Sequence, residues 1–412
     1  MPADLPSLAS LLDENDGLAP LRKRFLLPEE LIYFDGNSLG PLPDTVPGAL
    51  ESAVTGQWAE GLARSYPDWM ALPGRVADRI SRLVGAAPGQ VSVGDSTSVQ
   101  IFNGLTAAAR LRPGRRILVT DPDHFPTDRY LADSVARLLG LRVREVRPDK
   151  LGALLDASGD EVAVVAYPAV DYRTGRLWDV AGVTAAVHLA GAVTLWDVCH
   201  AVGAVPLEFD AHEVDFAVGC GYKYLSGGPG APAFLYIREP HIDAFDQPMT
   251  GWLGHATPFA PGGPYVPASG IGRATIGTPP VLSMVALDAA LEVFEGVALE
   301  EIRLKSLSLS AFFFECVDEL LAGQGFETVT PRDAALRGSH VSLRHPAADP
   351  LVRALIERGV IGDMRPPDLL RFGFNALFVS HTDVYTAVLR LHGLISSGDY
   401  LDPRFARQSP FG

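Results

Sequence analysis

Between residues 46 and 295, apolar β-branched runs keep alternating with helix-like stretches, and this alternation limits what the chain can fold into. The runs are Gln90-Val-Ser-Val93, Arg116-Ile-Leu-Val-Thr120, Val162-Ala-Val-Val-Ala166, Val193-Thr-Leu-Trp196, Asp215-Phe-Ala-Val218 and Ala233-Phe-Leu-Tyr-Ile237. Residues 97–111, 128–139 and 180–189 carry helical spacing between several of them. Continuous apolar strands separated by helices predict an α/β fold with a mainly parallel sheet covered on both faces. Residues 281–320 read as a long amphipathic helical region interrupted near Gly296. Beyond it, short strands at 339–343 and 370–374 mix with helices at 349–358 and 382–394, the pattern of a smaller α+β domain. A chain of 412 residues is too long for one hydrophobic core. The expected organisation is an N-terminal segment, 1–45, packing on the small domain or on a partner subunit; a large domain, 46–295; and a small domain, 296–412.

Charge and cysteine usage exclude several classes of function. The net charge of −15 opposes the cationic cover that nucleic-acid phosphates need. Three scattered cysteines, Cys199, Cys220 and Cys316, provide neither a disulfide framework nor a zinc knuckle, so no metal site is expected. A reduced, cytoplasmic setting is the expectation. The N-terminus shows no basic segment followed by an apolar run, and no apolar stretch reaches the roughly 18 residues of a membrane span.

Two motifs invite other readings. Gly36-Asn-Ser38-Leu-Gly40 matches the nucleophile elbow of serine hydrolases, but an elbow must open a helix and Pro41-Leu-Pro43 is a poor helix start. A glycine-permitted turn that shapes a site is the better reading. Cys199-His200 resembles a thiol–imidazole pair, yet neighbours on an extended chain face opposite ways. The phosphate signatures of dinucleotide and P-loop folds are absent.

The chemistry concentrates in two segments. Thr194-Leu-Trp-Asp197-Val-Cys-His200 is an apolar strand ending in an aspartate, at the place where open α/β sheets bind ligands. Downstream, Gly219-Cys-Gly-Tyr222-Lys223-Tyr224 sets a lone lysine among glycine and apolar residues, unlike a surface. Pyridoxal 5′-phosphate (PLP) needs this pair: a lysine amine to form a Schiff base, and a carboxylate to keep the pyridine nitrogen protonated so that the ring accepts electrons. Its phosphate needs N–H and hydroxyl donors, often at a helix N-terminus. Asp95-Ser-Thr97-Ser98 fits that place, and taken alone it is equally an ordinary helix cap.

Asp35-Gly-Asn-Ser-Leu-Gly-Pro41, Phe125-Pro-Thr127-Asp128, Trp196-Asp197-Val-Cys-His200, Gly221-Tyr-Lys-Tyr-Leu225, Gly251-Trp-Leu-Gly-His255 and Gly277-Thr-Pro-Pro280 together resemble the kynureninases, in order, over residues 18 to 395. The resemblance implies a PLP-dependent transferase-like fold (fold type I), hydrolysis of L-kynurenine or L-3-hydroxykynurenine, and a homodimer with shared active sites. It makes Lys223 the Schiff-base lysine and catalytic base, and Tyr222 a phosphate ligand and proton donor. Asp197, with Asp128 nearby, would face the pyridine nitrogen. Phe125 would stack on the ring, His200 would line the site, and Thr97, Ser98 and Thr127 would bind the cofactor. Trp252 and a partner's Thr278 would reach the phosphate. Arg371 would clamp the substrate α-carboxylate, with Asn37 and Tyr66 in the substrate site and His255 a weaker candidate for acid–base work. Departures occur at Ser226, where the family often has asparagine, at Leu253 in place of phenylalanine, and at Tyr66, where bacterial relatives tend to carry tryptophan. These put the substrate's ring substituent in doubt and leave the cofactor chemistry intact. Alternatives on the same fold are a cysteine desulfurase or an aminotransferase; from other classes, a serine hydrolase using Ser38 or a non-catalytic binding protein.

Overall fold

The computed structural model describes residues 4–259 and 262–406. It divides into two compact units, one of residues Thr45–Asp171 and Trp178–Glu292, the other of Met1–Asp44, Tyr172–Leu177 and Val293–Gly412.

The larger unit is built on a seven-stranded sheet in the order Val91–Val93, Ala233–Ile237, Phe216–Cys220, Val193–Asp197, Val162–Pro168, Ile117–Thr120, Arg142–Glu145. The five strands from Phe216–Cys220 to Arg142–Glu145 run parallel, and Ala233–Ile237 is antiparallel to both of its neighbours. Each apolar run of the sequence forms a strand, and every residue of Val162–Pro168, Val193–Asp197 and Phe216–Cys220 is buried, as expected for a sheet covered on both faces. Arg142–Glu145 was not legible as a strand: its charged residues lie at the sheet edge, where they are exposed and discourage further pairing.

Helix Thr97–Arg110 packs Ile101, Leu105 and Ala108 against Leu118, Val164, Leu195, Phe216 and Leu235. Burying a side chain such as Leu195 stabilises the fold by roughly 2 kcal/mol. The helix lies so close to the sheet that a Cβ at Gly104 would fall 2.8 Å from Leu195 Cδ1. Its start is fixed by extended Ser96, whose hydroxyl accepts from Val99 N–H. Helix Pro126–Leu139 begins on a proline and ends at left-handed Gly140. Ahead of helix Tyr66–Leu83 the backbone passes through a π-helical segment, Ala53–Gly61, and a left-handed Leu62 with φ of 51°.

A buried carboxylate ties several of these elements together. Asp215 accepts from His188 Nε2 at 2.7 Å, His241 Nε2 at 2.8 Å and Thr194 N–H at 2.8 Å.

In the smaller unit, strands Asp363–Arg365, Leu369–Gly373, His340–Arg344 and Glu327–Thr328 form an antiparallel sheet in that order. Leu31-Ile-Tyr-Phe34 yields the short strand Ile32–Tyr33, parallel to Val360–Ile361. The turn Tyr172–Leu177 belongs to this unit: Arg176 bridges Arg337, Leu177 N–H donates to Leu336 O, and Gly338 N–H donates to Gly175 O. The N-terminal residues carry a helix, Leu5–Glu14, that sequence patterning did not single out. Its Asp13 accepts from the backbone N–H groups of His381 and Thr382 and from both their side chains, at 2.6 to 3.0 Å. Asp13 therefore caps helix His381–Ser397 alongside that helix's own capping box, Ser380 and Asp383.

Burial alone would raise the Asp215 carboxyl, but the bonds from His241, Thr194 and His188 prevail and hold it below the usual carboxylate range. A depressed carboxylate contributes stability at pH values above its unfolded value of about 4, and the contribution is lost as pH falls through the folded value. Asp215→Ala should therefore cost on the order of 3 kcal/mol at pH 7. In thermal melts the deficit should shrink below about pH 4; a deficit unchanged on acidification would contradict this account.

Candidate active site

The strand ends of the larger unit converge on Lys223. Strand Val193–Asp197 delivers Asp197 as its last residue, in register with Pro168 on one side and Val218 on the other. Strand Phe216–Cys220 runs out three residues before Lys223. Glycines permit the approach: a Cβ at Gly219 would lie 2.3 Å from Phe234, and one at Gly221 would lie 2.6 Å from Pro232 O. The loop closes by Ser226 N–H to Lys223 O and Gly227 N–H to Gly221 O. Ser226 takes a φ of 55°, and asparagine adopts that left-handed conformation more readily than serine, a backbone reason for the family preference noted above.

Lys223 Nζ stands 3.3 Å from His200 Nε2 and 3.5 Å from Nδ1, and 5.8 Å from the centre of the Tyr222 ring. His200 is buried one turn beyond Asp197. Asp197 Oδ1 accepts from Cys199 N–H at 2.8 Å. Ligand atoms of Asp197, Asp128 and His124 all lie within 4.8 Å of one another, and all three residues are buried. His124 was missed by sequence reasoning. The available signal was its place one residue ahead of Phe125-Pro-Thr-Asp128, which puts it four positions from Asp128 at the start of a helix.

The electrostatics of this trio are severe. Burial, then the charge on Asp197, pushes the Asp128 carboxyl well above its ordinary range, with Lys223 opposing. Burial drives His124 down to about 4, so at neutral pH its imidazole carries no charge to offset the acids. Two carboxylates in a dry pocket create a demand for a cation or a strong N–H donor. A metal would satisfy it, and so would a protonated pyridine nitrogen. The neighbouring lysine and the open helix start favour the second. Thr97 and Ser98 occupy the first two positions of helix Thr97–Arg110, where backbone N–H groups have no partner within the helix. The residues fit PLP: an amine, and an acid pair for the ring nitrogen.

The remaining expected cofactor ligands lie in the same unit. Phe125 is the N-cap of helix Pro126–Leu139 and is 40% exposed, while Thr127 is half-buried in the first turn. Trp252, 39% exposed, lines a cavity of about 370 Å³ with Thr250, Thr257 and Tyr265. Thr278 is exposed and lines another, of about 280 Å³, with Asp95 and Thr275. Burial raises the Tyr222 phenol far above its ordinary value, so it stays protonated. Tyr66 opens helix Tyr66–Leu83 and stacks edge-on against Trp69 at 5.4 Å. His255 braces its own loop, accepting from Thr257 N–H at 2.9 Å.

The smaller unit holds the other expected residues. Arg371 Nε donates to Asp363 Oδ1 at 2.8 Å, Nη1 to Tyr172 O at 2.7 Å, and Nη2 to Ser38 Oγ at 2.7 Å and to Asp363 Oδ2. Asn37 is buried, and its amide oxygen accepts from Arg371 Nε at 3.0 Å. Ser38 Oγ donates to Asp363 Oδ2 at 3.0 Å and also accepts from Arg365. No helix follows it until Val46, and its partners are an acid and two guanidiniums rather than an imidazole. The nucleophile-elbow reading is therefore set aside.

A family model described as the kynureninase C-terminal domain matches residues 302–391. The chain is 49% identical to a kynureninase of Deinococcus radiodurans, covering 93% of this chain and 95% of the relative. It is 43% identical to one of Burkholderia pseudomallei, covering 97% and 98%. Among solved structures, a cysteine desulfurase from Thermococcus onnurineus superposes with a TM-score of 0.79 at 19% identity, covering 92% of this chain and 98% of that one. A C-DES mutant carrying glycine covalently linked to its PLP cofactor gives 0.78 at 17%, covering 90% and 98%. The solved structures share the fold, type I of the PLP enzymes. Identity this high over nearly the whole length of the sequence relatives decides the family: the chain belongs to the kynureninases.

Proposed function

We propose that this protein is a PLP-dependent hydrolase that cleaves the Cβ–Cγ bond of L-kynurenine, with L-3-hydroxykynurenine the alternative substrate. One molecule of water is consumed; anthranilate, or its 3-hydroxy form, and L-alanine are released. The observation that carries the reading is the pocket of Lys223, His200, Asp197 and Asp128 in a chain of this family.

PLP, when bound, supplies an electron sink conjugated to the substrate's α-amino nitrogen. The other tasks fall to the protein. The acid pair would keep the ring nitrogen protonated, and Phe125 would stack on the ring. Thr97, Ser98, Thr127, Tyr222, Trp252 and Thr278 hold the cofactor, chiefly by donors to its phosphate. Lys223 would take the Cα proton, with His200 beside it to orient the amine. The protonated Tyr222 phenol donates at the γ-carbonyl oxygen while water adds to the carbonyl carbon. Collapse breaks Cβ–Cγ; the water oxygen remains in the aromatic carboxylate, and Cβ takes up a proton to become the alanine methyl group. Arg371 would take the α-carboxylate, and Asn37 and Tyr66 would contribute to substrate binding, as the family resemblance implies. A desulfurase reading is disfavoured because Cys199, Cys220 and Cys316 are all buried, which leaves no accessible thiol to receive sulfur.

Among the described residues no helix is long and apolar enough to cross a membrane. We place the enzyme in the cytoplasm as a homodimer. Exposed Trp58, Leu62 and Val54, close in sequence to Tyr66, support a covered face there. Sedimentation should return the mass of two 44.0 kDa chains, and a monomer would refute the dimer.

The holoenzyme should release aromatic acid and alanine in equal amounts from one or both kynurenines. Lys223→Ala should lose both turnover and the absorbance band near about 420 nm expected of Schiff-base PLP; a variant retaining both would overturn the assignment. Asp128→Asn removes a like charge that the folded apoprotein tolerates poorly. A carboxyl raised on folding costs stability as pH climbs above its unfolded value. The variant should therefore raise the apoprotein melting temperature at pH 8 by about 2–4 °C while weakening PLP retention. Lower apoprotein stability would count against the acid-pair account.

A further inference from the structure

The smaller unit holds a serine, a histidine and an aspartate in a hydrogen-bonded chain that the proposed function does not use. Ser308 Oγ lies 2.9 Å from His381 Nε2, and His381 Nδ1 lies 3.0 Å from Asp13 Oδ1. Three helices contribute one residue each: Asp13 stands in Leu5–Glu14, Ser308 in Leu299–Leu320, and His381 opens His381–Ser397. The acceptor at the end of the chain fixes where the protons sit. Asp13 also accepts from His381 N–H, Thr382 N–H and Thr382 Oγ. Burial opposes its ionisation, but the bonds from His381 and Thr382 prevail and hold its carboxyl far below the ordinary range. An ionised carboxylate only accepts. Nδ1 therefore carries the imidazole hydrogen, Nε2 keeps its lone pair, and the Ser308 hydroxyl donates to it. Phe312, one turn beyond Ser308 on the same helix, packs against the imidazole in a T-shaped contact at 5.9 Å and holds its plane.

The chain borders open space. Ser308 and His381 line a cavity of about 400 Å³, together with Leu12, Leu18, Leu304 and Lys305. Every lining residue belongs to the smaller unit. The volume suits a small organic molecule, and the leucines give it an apolar wall. Lys305 lies one turn before Ser308 on the same helix, and its Nζ meets Asp16 Oδ2 at 2.6 Å. Asp16 and Glu301 also face the cavity and oppose an anionic ligand, so an uncharged one fits best.

We propose that Ser308 is an activated nucleophile, and that the cavity is a second site, separate from PLP chemistry, which takes the acyl group of small uncharged esters. His381 is the general base, and Asp13 is the positioning residue that sets its tautomer. Ser308 Oγ bonds to the carbonyl carbon of the ester while its proton passes to His381 Nε2. The ester C–O bond breaks, the alcohol leaves with that proton, and the acyl group stays on Ser308. Lys305 supplies positive charge in the cavity for the oxygen of the attacked carbonyl.

The test gives the PLP-loaded enzyme p-nitrophenyl acetate, follows release of p-nitrophenolate, and locates the acetyl group by peptide mass analysis. One acetyl group per chain should appear on Ser308 in the native protein, and none on Ser308 after unfolding in urea. Ser308→Ala should lose both that acetyl group and the accompanying burst of phenolate. His381→Gln, which keeps the backbone N–H that Asp13 accepts, should acylate about 100-fold more slowly. Native wild type with Ser308 unmodified would overturn the proposal, because a merely structural hydrogen-bond chain leaves the serine inert; this arm needs no variant to fold. Equal rates in wild type and His381→Gln would also overturn it, as would a Ser308 labelled as fast in urea, since both mark a hydroxyl that is accessible but not activated. None of these readouts depends on turnover of kynurenine.

Discussion

Two carboxylates and an uncharged imidazole share a dry pocket at the strand ends, and this unfavourable arrangement governs the larger unit. Asp197 and Asp128 repel, and His124 cannot offset them because burial keeps it neutral. Like charges in low dielectric are costly, so proteins keep them where a ligand repays the cost. Here the parallel sheet sets the positions. Asp197 is delivered by its strand, Asp128 by the helix after strand Ile117–Thr120, and Lys223 by the loop beyond Cys220. The apoprotein is a site under electrostatic load.

The smaller unit solves the opposite problem. Arg371 and Arg365 would repel, and Asp363 with Ser38 stitches them together. Each cluster is assembled from pieces remote in sequence. Ser38 meets Arg371 across 333 residues, and Tyr172 reaches it across 199.

The separation in sequence explains what could be read in advance. The buried strands were legible because a strand covered on both faces must be apolar throughout, and Asp197 and Lys223 stood out as polar residues in apolar surroundings. Arg142–Glu145 was hidden because an exposed edge strand carries no apolar signature. Helix Leu5–Glu14 and the π-helical Ala53–Gly61 gave no pattern strong enough to register. His124 looked like an ordinary loop histidine, since its role depends on the fold bringing Asp197 beside it. Arg371 was identified through the family, but its hydrogen bonds to Asp363 and Tyr172 O exist only in three dimensions.

The way the smaller unit is threaded bears on how the chain comes to be folded. Its parts come from the first 44 residues, the turn Tyr172–Leu177 and the last 120. Asp13 caps a helix whose first residue lies 368 positions later, and strand Ile32–Tyr33 waits for Val360–Ile361. During synthesis the leading arm emerges with no partner. It must stay soluble while the larger unit is completed, and it becomes ordered only when the tail arrives. At roughly 5–20 residues per second that interval is on the order of tens of seconds. Through it, helix Leu5–Glu14, with Leu5 and Ala9 destined for burial, is an exposed amphipathic segment. The acids Asp4, Asp13, Glu14 and Asp16 then have a second use, as the charges that keep an orphaned arm in solution.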